Sequence, residues 1–257
     1  MSDLALALRQ LKYENRSFWR NPPAAFFTFV LPLMFLVIFN AVFGNDELDV
    51  RGGTANGSTF YVPGIAALSV ISACYTNVAM SVAISRDQGL LKRTRGTPLP
   101  AWAYLFGRIA HATIIAMLLV AIVTAAGVLF YDVDVPSNTL PAFIVSLALG
   151  AAVFSALGLA ITAAIPNADA SPAIVNASIL PLLFMSDVFI PLQEAPAWFR
   201  WIGEAFPVKH FSESLQTAFN PFETGSGFEP ERLAVMAAWG IVGLLAAGRF
   251  FSWEPRR

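Results

Sequence analysis

Few residues of this chain have side chains that could perform catalysis, and those few are not arranged as a catalytic motif. Cys74 is the only cysteine, which rules out a disulfide within the chain, and His111 and His210 are the only histidines. The sequence contains no G-x-x-x-x-G-K-[ST] phosphate loop, no H-E-x-x-H zinc motif and no G-x-S-x-G nucleophile motif. We therefore predict a chain without catalytic residues, a metal site or an ATPase site of its own.

A short basic stretch, residues 85–105, lies between two strongly apolar segments, 61–84 and 105–130. It carries four of the 16 lysines and arginines of the chain: Arg86, Lys92, Arg93 and Arg95. Each flanking segment is long enough to cross a bilayer, and a basic loop between two membrane spans is typical of the cytoplasmic side. We therefore predict that residues 85–104 form a cytoplasmic connector.

The order of residue types in this connector predicts a compact structure. Gly89 ends the preceding helix, Leu90 and Leu91 form an apolar pair, and a basic run follows. Threonine is a favoured N-cap residue and proline a favoured first residue of a helix, so Thr97 and Pro98 predict the start of the next span. The connector is therefore predicted to be a compact, structured loop and not a flexible linker.

Four polar side chains fall inside predicted membrane spans: Asn77, His111, Asn176 and Asp187. They are too scattered among the spans to predict an intramembrane active site, but they could line a substrate path. His111 is typical of a residue that makes one hydrogen bond between helices. A carboxylate such as Asp187 costs about 2.5 to 3.5 kcal/mol at a helix centre and less near an interface. Three interpretations of Asp187 stay open: a wetted outer vestibule, an interhelical hydrogen bond, or direct substrate contact.

The composition identifies the chain as an integral membrane protein. Hydrophobic residues make up 56% of the sequence and charged residues only 13%, against roughly 25% charged residues in soluble domains. The length leaves room for about six helices of roughly 20 residues with modest loops. We predict an all-α polytopic membrane protein of one domain, residues 1–257. Its six predicted spans are residues 24–43, 61–84, 105–130, 140–165, 173–190 and 233–251.

Three segments outside the spans complete the predicted architecture. Residues 1–21 place leucines and aromatic residues on one side of a helix and arginines on the other, which predicts an amphipathic helix on the inner membrane surface. Residues 44–60 are acidic and predict an outside loop. Residues 191–232 contain aromatic clusters around Trp198 and Phe211, which predict short outer helices, interfacial or re-entrant, before the sixth span.

The distribution of positive charge predicts the orientation of the chain. Cytoplasmic loops carry an excess of lysine and arginine, and all but four of the 16 such residues fall on the connector side of the predicted spans. The four exceptions are Arg51, Arg200, Lys209 and Arg232. Both termini are therefore predicted to be cytoplasmic. The turn at residues 166–172 contains no lysine or arginine, so only the alternation of the spans assigns it to the inner side.

Three local motifs, in this order, resemble those of the ABC-2 type permeases, the membrane subunits of type-2 ABC exporters. Residues 85–93, SRDQGLLKR, followed by Thr97 and Pro98, resemble the first cytoplasmic loop of that family. Residues 185–191, MSDVFIP, resemble the end of its fifth span, and residues 206–215 resemble the helix before its sixth span. The resemblance covers the whole chain and is nearest to the daunorubicin-resistance type of drug and lipid exporters.

This resemblance implies the partners of the chain and the roles of several residues. A permease of this family would act with a second permease subunit, identical or paralogous, and with two ABC ATP-binding subunits that bind ATP and magnesium. The coupling residues that the first motif implies are Arg86, Asp87, Gly89, Leu90, Leu91, Arg93, Thr97 and Pro98. For Lys92 and Arg95 individually, enforcing the orientation of the spans is the favoured interpretation. Asp187 departs from the family pattern, which usually has glycine there.

The function that the resemblance implies is export of a hydrophobic or amphipathic substrate, drug or lipid-like, across the bacterial plasma membrane. ATP hydrolysis in the partner subunits would drive it, and this chain would bind no cofactor and no nucleic acid. Three alternatives stay open. These are a permease for polysaccharide or glycolipid export, a non-transporting polytopic assembly factor, and an intramembrane enzyme.

Overall fold

The structure is a computed structural model that describes residues 3–43, 47–50, 52–97, 99–189, 192 and 195–254. Its helices are α1 (Asp3–Trp19), α2 (Pro22–Phe43), α3 (Gly57–Ile71), α4 (Asn77–Asp87), α5 (Leu90–Arg95), α6 (Ala101–Tyr131), α7 (Leu140–Ile161), α8 (Ser171–Phe184), α9 (Ala197–Ala205), α10 (Pro207–Phe219) and α11 (Pro230–Phe250). A π-helical turn, Ser72–Thr76, joins α3 to α4, and the strands β1 (Glu47–Val50) and β2 (Gly53–Asn56) precede α3. The predicted all-α polytopic fold class is confirmed.

Among the described residues, five segments are long and apolar enough to cross a membrane: Pro22–Phe43, Gly57–Asp87, Trp102–Tyr131, Leu140–Ile161 and Pro230–Phe250. The remaining predicted span corresponds to α8, which is apolar but only 14 residues long. At 1.5 Å per residue it extends about 21 Å, less than the roughly 30 Å of a hydrocarbon core. The predicted segment 173–190 is too long at its C-terminal end, because the helix stops at Phe184 and Asp187 has a positive φ of 55°.

The segment predicted as an outside loop, residues 44–60, contains a short hairpin that sequence reasoning missed. β1 and β2 pair antiparallel, with Glu47 opposite Asn56 and Val50 opposite Gly53. Strands of four residues contain too little alternation of apolar and polar residues to be recognised. α3 begins directly after β2, earlier than the predicted start of the second span at residue 61.

The start of the third span also differs from the prediction. α6 begins at Ala101 with Pro100 as its N-cap, so the prediction that Thr97 caps this helix is wrong. The Thr97 hydroxyl instead donates to a carbonyl oxygen at the end of α5, 2.7 Å away. Leu99 precedes a proline, and such a residue is disfavoured in the α conformation, which delays the helix start. Pro98 lies outside the described residues.

α3 lies at the centre of the bundle. Residues 61–71 of this helix are buried and pack against α2, α6 and α10. Glycines of α7 allow its neighbours to approach closely. A Cβ at Gly158 would lie 2.8 Å from the carbonyl oxygen of Tyr75, and a Cβ at Gly150 would overlap the ring of Phe211. Small residues therefore set the distance between the helices here, as is usual in membrane bundles.

The bundle has two ends that carry different structures. The connector face carries α5 and the turn at residues 162–170, and the hairpin face carries β1, β2 and the loop after α8. The turn after α7 is on the connector face because Arg86, at the end of α4, contacts its backbone. The side of this turn therefore agrees with the alternation of the spans. A continuous helix of 31 residues, Gly57–Asp87, extends about 46 Å between the two faces.

α9 and α10 form a re-entrant helical hairpin that enters the bundle from the hairpin face. Trp239 of α11 donates its indole N–H to the carbonyl oxygen of Ala205 at 2.9 Å, and its ring stacks on Phe206 with centroids 5.3 Å apart. Phe211 packs on Phe154 of α7, with centroids 5.4 Å apart. Because Trp239 lies about nine residues into α11, the bend between α9 and α10 reaches roughly 14 Å into the bundle. The predicted short outer helices are therefore re-entrant.

Candidate functional site

The connector between the second and third spans is built around the six-residue helix α5. Gly89 precedes it with φ of 71°, a left-handed conformation that residues with a Cβ rarely adopt. Leu91 is fully buried in the core, whereas Leu90 is 45% exposed. The exposed cations of this helix are Lys92, Arg93 and Arg95. The two leucines therefore do not form one surface: Leu91 anchors α5, and Leu90 faces outward with the cations.

Arg86, in the last turn of α4, is only 1% exposed. Its guanidinium group donates hydrogen bonds to the carbonyl oxygen of Thr162, at 2.9 Å, and to that of Ile165. These carbonyls lie at the C-terminal end of α7, where unpaired carbonyl groups and the helix dipole favour a cation. An arginine can hold two carbonyls at once because its planar group carries several donors. Arg86 therefore fastens the end of α4 to the end of α7 and is not part of the exposed surface.

Asp87, the next residue, binds a later part of the same turn. Its Oδ2 accepts a hydrogen bond from the backbone N–H of Ala168 at 3.2 Å. The side chain of Asn167 orders this turn further by accepting a backbone N–H within it at 2.9 Å. We call the contacts of Arg86 and Asp87 with residues 162–168 the connector latch.

Arg108, on α6, joins the N-terminal helix to the connector. Its guanidinium group lies 3.5 Å from Oε2 of Glu14 in α1 and 3.3 Å from the hydroxyl of Ser85 in α4. It also lies over the ring of Tyr104, 5.3 Å from the ring centre. These residues line a cleft of about 340 Å³ beside α5. Sequence reasoning missed Glu14, although an arginine at the end of an apolar span signals that a partner is needed.

The four predicted intramembrane polar residues are dispersed. His111 is 9% exposed and lies against Phe18 of α1, with ring centroids 5.3 Å apart. Asn77 is half-buried at the start of α4, directly after the π-helical turn. Asn176 is exposed on α8, and Asp187 follows α8 at the hairpin face. His111 therefore belongs to the interface of α1 and α6 near the connector face, away from Asp187.

Asp187 is half-buried and is held by backbone and amide groups. Its Oδ1 accepts the backbone N–H of Leu192 at 2.6 Å, and its carbonyl oxygen accepts a hydrogen bond from the Gln216 side chain at 2.7 Å. Burial raises the pKa of Asp187 above its usual value, while the Leu192 N–H and the charges of Lys209 and Arg232 oppose that rise. The residue lines a cleft of about 180 Å³ at the hairpin face. These contacts favour the vestibule interpretation of its carboxylate over an interhelical hydrogen bond.

A buried cation, Lys209, lies in α10 close to this cleft. Its side chain is 7% exposed, and its ammonium group lies 3.3 Å from Glu204 and 3.9 Å from Glu213. Arg232 of α11 pairs with Glu213 and with Glu229. Glu213 therefore lies between two cations and links the re-entrant hairpin to α11. Sequence reasoning placed these residues in the outer segment but did not predict the network, for which the many glutamates of that segment are the only signal.

Comparison with known proteins gives consistent results. A family model described as ABC-2 type transporter matches residues 6–220. The chain is 27% identical over 224 residues to a daunorubicin resistance ABC transporter permease protein of Streptomyces coeruleorubidus, covering 84% of this chain and 75% of that one. It is 25% identical over 195 residues to an inner membrane transport permease of Escherichia coli, covering 75% of each. It is 22% identical over 227 residues to the ycf38 protein of Porphyra purpurea, covering 88% of this chain and 76% of that one.

The residues that the family model matches run from α1 through the connector latch and the re-entrant hairpin to the end of α10. They therefore include the features that distinguish this bundle from an arbitrary set of apolar helices. All three of these relatives are named as permeases. The chain belongs to the ABC-2 type transporter family and is a permease of an ABC transporter.

Proposed function

We propose that this permease is one half of the membrane domain of an ABC exporter. A second permease subunit, identical or paralogous, forms the other half, and two ATP-binding subunits bind and hydrolyse ATP with magnesium. The observation that carries the proposal is the surface of α5, where Leu90 and three cations are exposed on a helix that Leu91 anchors. An exposed apolar residue among charges is the composition of a small docking surface.

The proposed orientation places the connector face in the cytoplasm. The excess of lysine and arginine on that side supports this orientation. The amphipathic helix α1 also supports it, because α1 packs beside the connector through the contact of Glu14 with Arg108. Cysteine labelling in intact cells tests it, with Cys74 replaced by alanine. A membrane-impermeant maleimide should label Thr54→Cys in β2 and should label Lys92→Cys in α5 only after the cells are opened. Labelling of Lys92→Cys in intact cells would reverse the proposed orientation.

The proposed cargo is a hydrophobic or amphipathic molecule, drug or lipid-like, that leaves the cell along a path between the two permease subunits. Asn176 supports the position of this path, because it is an exposed polar residue on α8 among the exposed apolar residues Leu180 and Phe184. Asp187 would lie at the outer mouth of the path. His111 is not proposed for the path, since it lies between α1 and α6. The daunorubicin resistance permease among the relatives supports a drug-like cargo.

A permease for polysaccharide or glycolipid export is the second candidate. The cleft beside Asp187 favours it, because its lining includes several polar side chains, among them Glu213, Gln216 and Asn220. A glycolipid headgroup could use such a surface, whereas an apolar drug could not.

Reconstitution of the permease with its ATP-binding subunit in liposomes tests the proposal. We expect ATP-dependent movement of ethidium, doxorubicin or a fluorescent phospholipid, and none when the phosphate-loop lysine of the ATP-binding subunit is replaced by alanine. The purified permease alone should neither hydrolyse ATP nor transport. Transport by the permease alone would disprove the half-transporter proposal. Movement of a fluorescent glycolipid without movement of the three other probes would favour the second candidate.

A further inference from the structure

The connector latch places two adjacent residues of α4 on one turn of the chain. Arg86 binds the carbonyl oxygens of Thr162 and Ile165, and Asp87 binds the N–H of Ala168. A buried guanidinium group is costly unless hydrogen bonds replace its water, and here backbone carbonyls do so. The turn continues directly into α8, which begins at Ser171. The latch therefore connects the end of the second span to the start of the fifth.

A second contact joins the same two spans farther from the connector face. The hydroxyl groups of Tyr75, in the π-helical turn, and Ser178, in α8, lie 2.6 Å apart. Tyr75 is about 11 residues from Arg86 along the second span, and Ser178 is about 10 residues from Ala168. The two contacts are therefore separated by a similar distance, roughly 15 Å, along both segments. The second span and α8 therefore run side by side and are fastened at two levels.

We infer that Arg86 and Asp87 are positioning residues that carry ATP-driven movement of α5 into α8. Because Arg86 is 1% exposed, it cannot contact an ATP-binding subunit directly. It acts through the backbone of the turn after α7, and the second span and α8 move as one body when α5 is displaced. The inference rests on the proposed function, since it requires a partner that moves α5. It assigns the fifth span, with its exposed Asn176, to the part of the path that ATP hydrolysis moves.

Spin labels on two helices test this inference in the complex with the ATP-binding subunit, with Cys74 replaced by alanine. Ala177→Cys places a label on the exposed side of α8, and Ile114→Cys places a control label on α6, where Ile114 is 51% exposed. Spectra are recorded without nucleotide and after trapping with ATP and vanadate. We expect a nucleotide-dependent change at position 177 in the otherwise wild-type chain.

Arg86→Gln and Asp87→Ala then weaken the latch separately. Both variants should still bind the ATP-binding subunit, because neither removes a residue from the exposed surface of α5. Arg86→Gln should abolish the change at position 177, whereas the spectra at position 114 should be the same as in the otherwise wild-type chain. Asp87→Ala should reduce the change at position 177 without abolishing it. This variant should disturb the fold less than Arg86→Gln, since Asp87 is exposed. Arg86→Lys, which can donate to one carbonyl, should restore part of the change.

Several outcomes would overturn the inference. An unaltered change at position 177 in both Arg86→Gln and Asp87→Ala would show that the latch transmits nothing. The absence of any change at position 177 in the wild-type complex, with a change at position 114, would show that α8 is not driven. Loss of binding in Arg86→Gln with wild-type thermal stability would give Arg86 a docking role. Failure of the wild-type chain to bind any ATP-binding subunit would instead refute the proposed function.

Discussion

Replacement of Leu90 by aspartate should weaken binding of the ATP-binding subunit without unfolding the permease. Leu90 is 45% exposed, so close to half of its side chain is available to a partner. Full burial of a leucine side chain is worth about 1.5 to 3 kcal/mol, so burial of the exposed part contributes roughly 1 kcal/mol. An aspartate buried there without a partner costs roughly another 1 kcal/mol. The total of about 2 kcal/mol corresponds to an approximately 30-fold increase in the dissociation constant.

Leu91 provides the matched control within the same helix. Leu91 is fully buried in the core, so Leu91→Ala should lower the free energy of unfolding by about 2 to 5 kcal/mol. That variant should lose thermal stability, whereas Leu90→Asp should keep it. Both variants retain every basic residue of the connector, so the orientation of the spans should not change.

The assay measures affinity for the ATP-binding subunit and ATP turnover in nanodiscs, with thermal unfolding of the permease followed in parallel. We expect Leu90→Asp to reduce both affinity and ATP turnover at unchanged thermal stability. Wild-type affinity and turnover in Leu90→Asp would refute the docking role of α5. An equal loss of affinity in Leu91→Ala, at a temperature where it is fully folded, would show that the contact is not specific to Leu90.

Three further predictions concern single residues. Lys209→Met should lower the free energy of unfolding by about 1 kcal/mol, because Glu213 loses the charge of Lys209 but keeps Arg232 as a partner. Glu213→Gln in the same chain should recover part of this loss in thermal unfolding. Gly89→Ala should cost about 1 kcal/mol through its positive φ, and Gly89→Asn should cost less because asparagine tolerates that conformation, as thermal unfolding would show. Burial raises the pKa of Asp187 in the folded protein, so the folded state holds the proton more tightly than the unfolded state. The contribution of Asp187 to stability is therefore greatest at low pH and falls as the pH rises from about 4 through the raised pKa. Asp187→Asn should remove this decline while keeping the Leu192 contact. Unchanged efflux of every cationic probe by Asp187→Asn would exclude direct substrate contact.

The membrane spans could be predicted because apolar length is a local property of the sequence. The predicted second span, 61–84, lies within a helix whose ends extend to Gly57 and Asp87, and the predicted sixth span, 233–251, matches α11 closely. The end of the fifth span could not be predicted, because α8 ends at Phe184 and the chain turns at Asp187, before the proline that follows. Backbone conformation at one residue depends on its tertiary contacts, here those to Leu192 and Gln216.

The connector could be located from the sequence, but the roles of its individual residues could not be predicted. Leu90 and Leu91 are identical residues in adjacent positions, and only the packing of α5 on the bundle decides which one is buried. The partners of Arg86 are backbone carbonyl oxygens, so no residue type at position 162 or 165 signals the contact. Contacts of this kind require the three-dimensional positions of α4 and α7. For the same reason, Thr97 has the residue type of a cap but caps a different helix end than predicted.

The burial of Arg86 also separates two roles that basic residues of a cytoplasmic loop usually combine. Orientation of membrane spans depends on the number of positive charges in a loop, not on their individual contacts. The exposed cations Lys92, Arg93 and Arg95 remain when Arg86 is replaced by glutamine, so the loop keeps most of its charge. A loss of coupling in Arg86→Gln therefore cannot be explained by inverted topology. The same replacement at an exposed position, Arg95→Gln, removes one charge equally but leaves the latch intact. A difference in coupling between these two variants therefore reflects the buried contacts of Arg86 and not the charge of the loop.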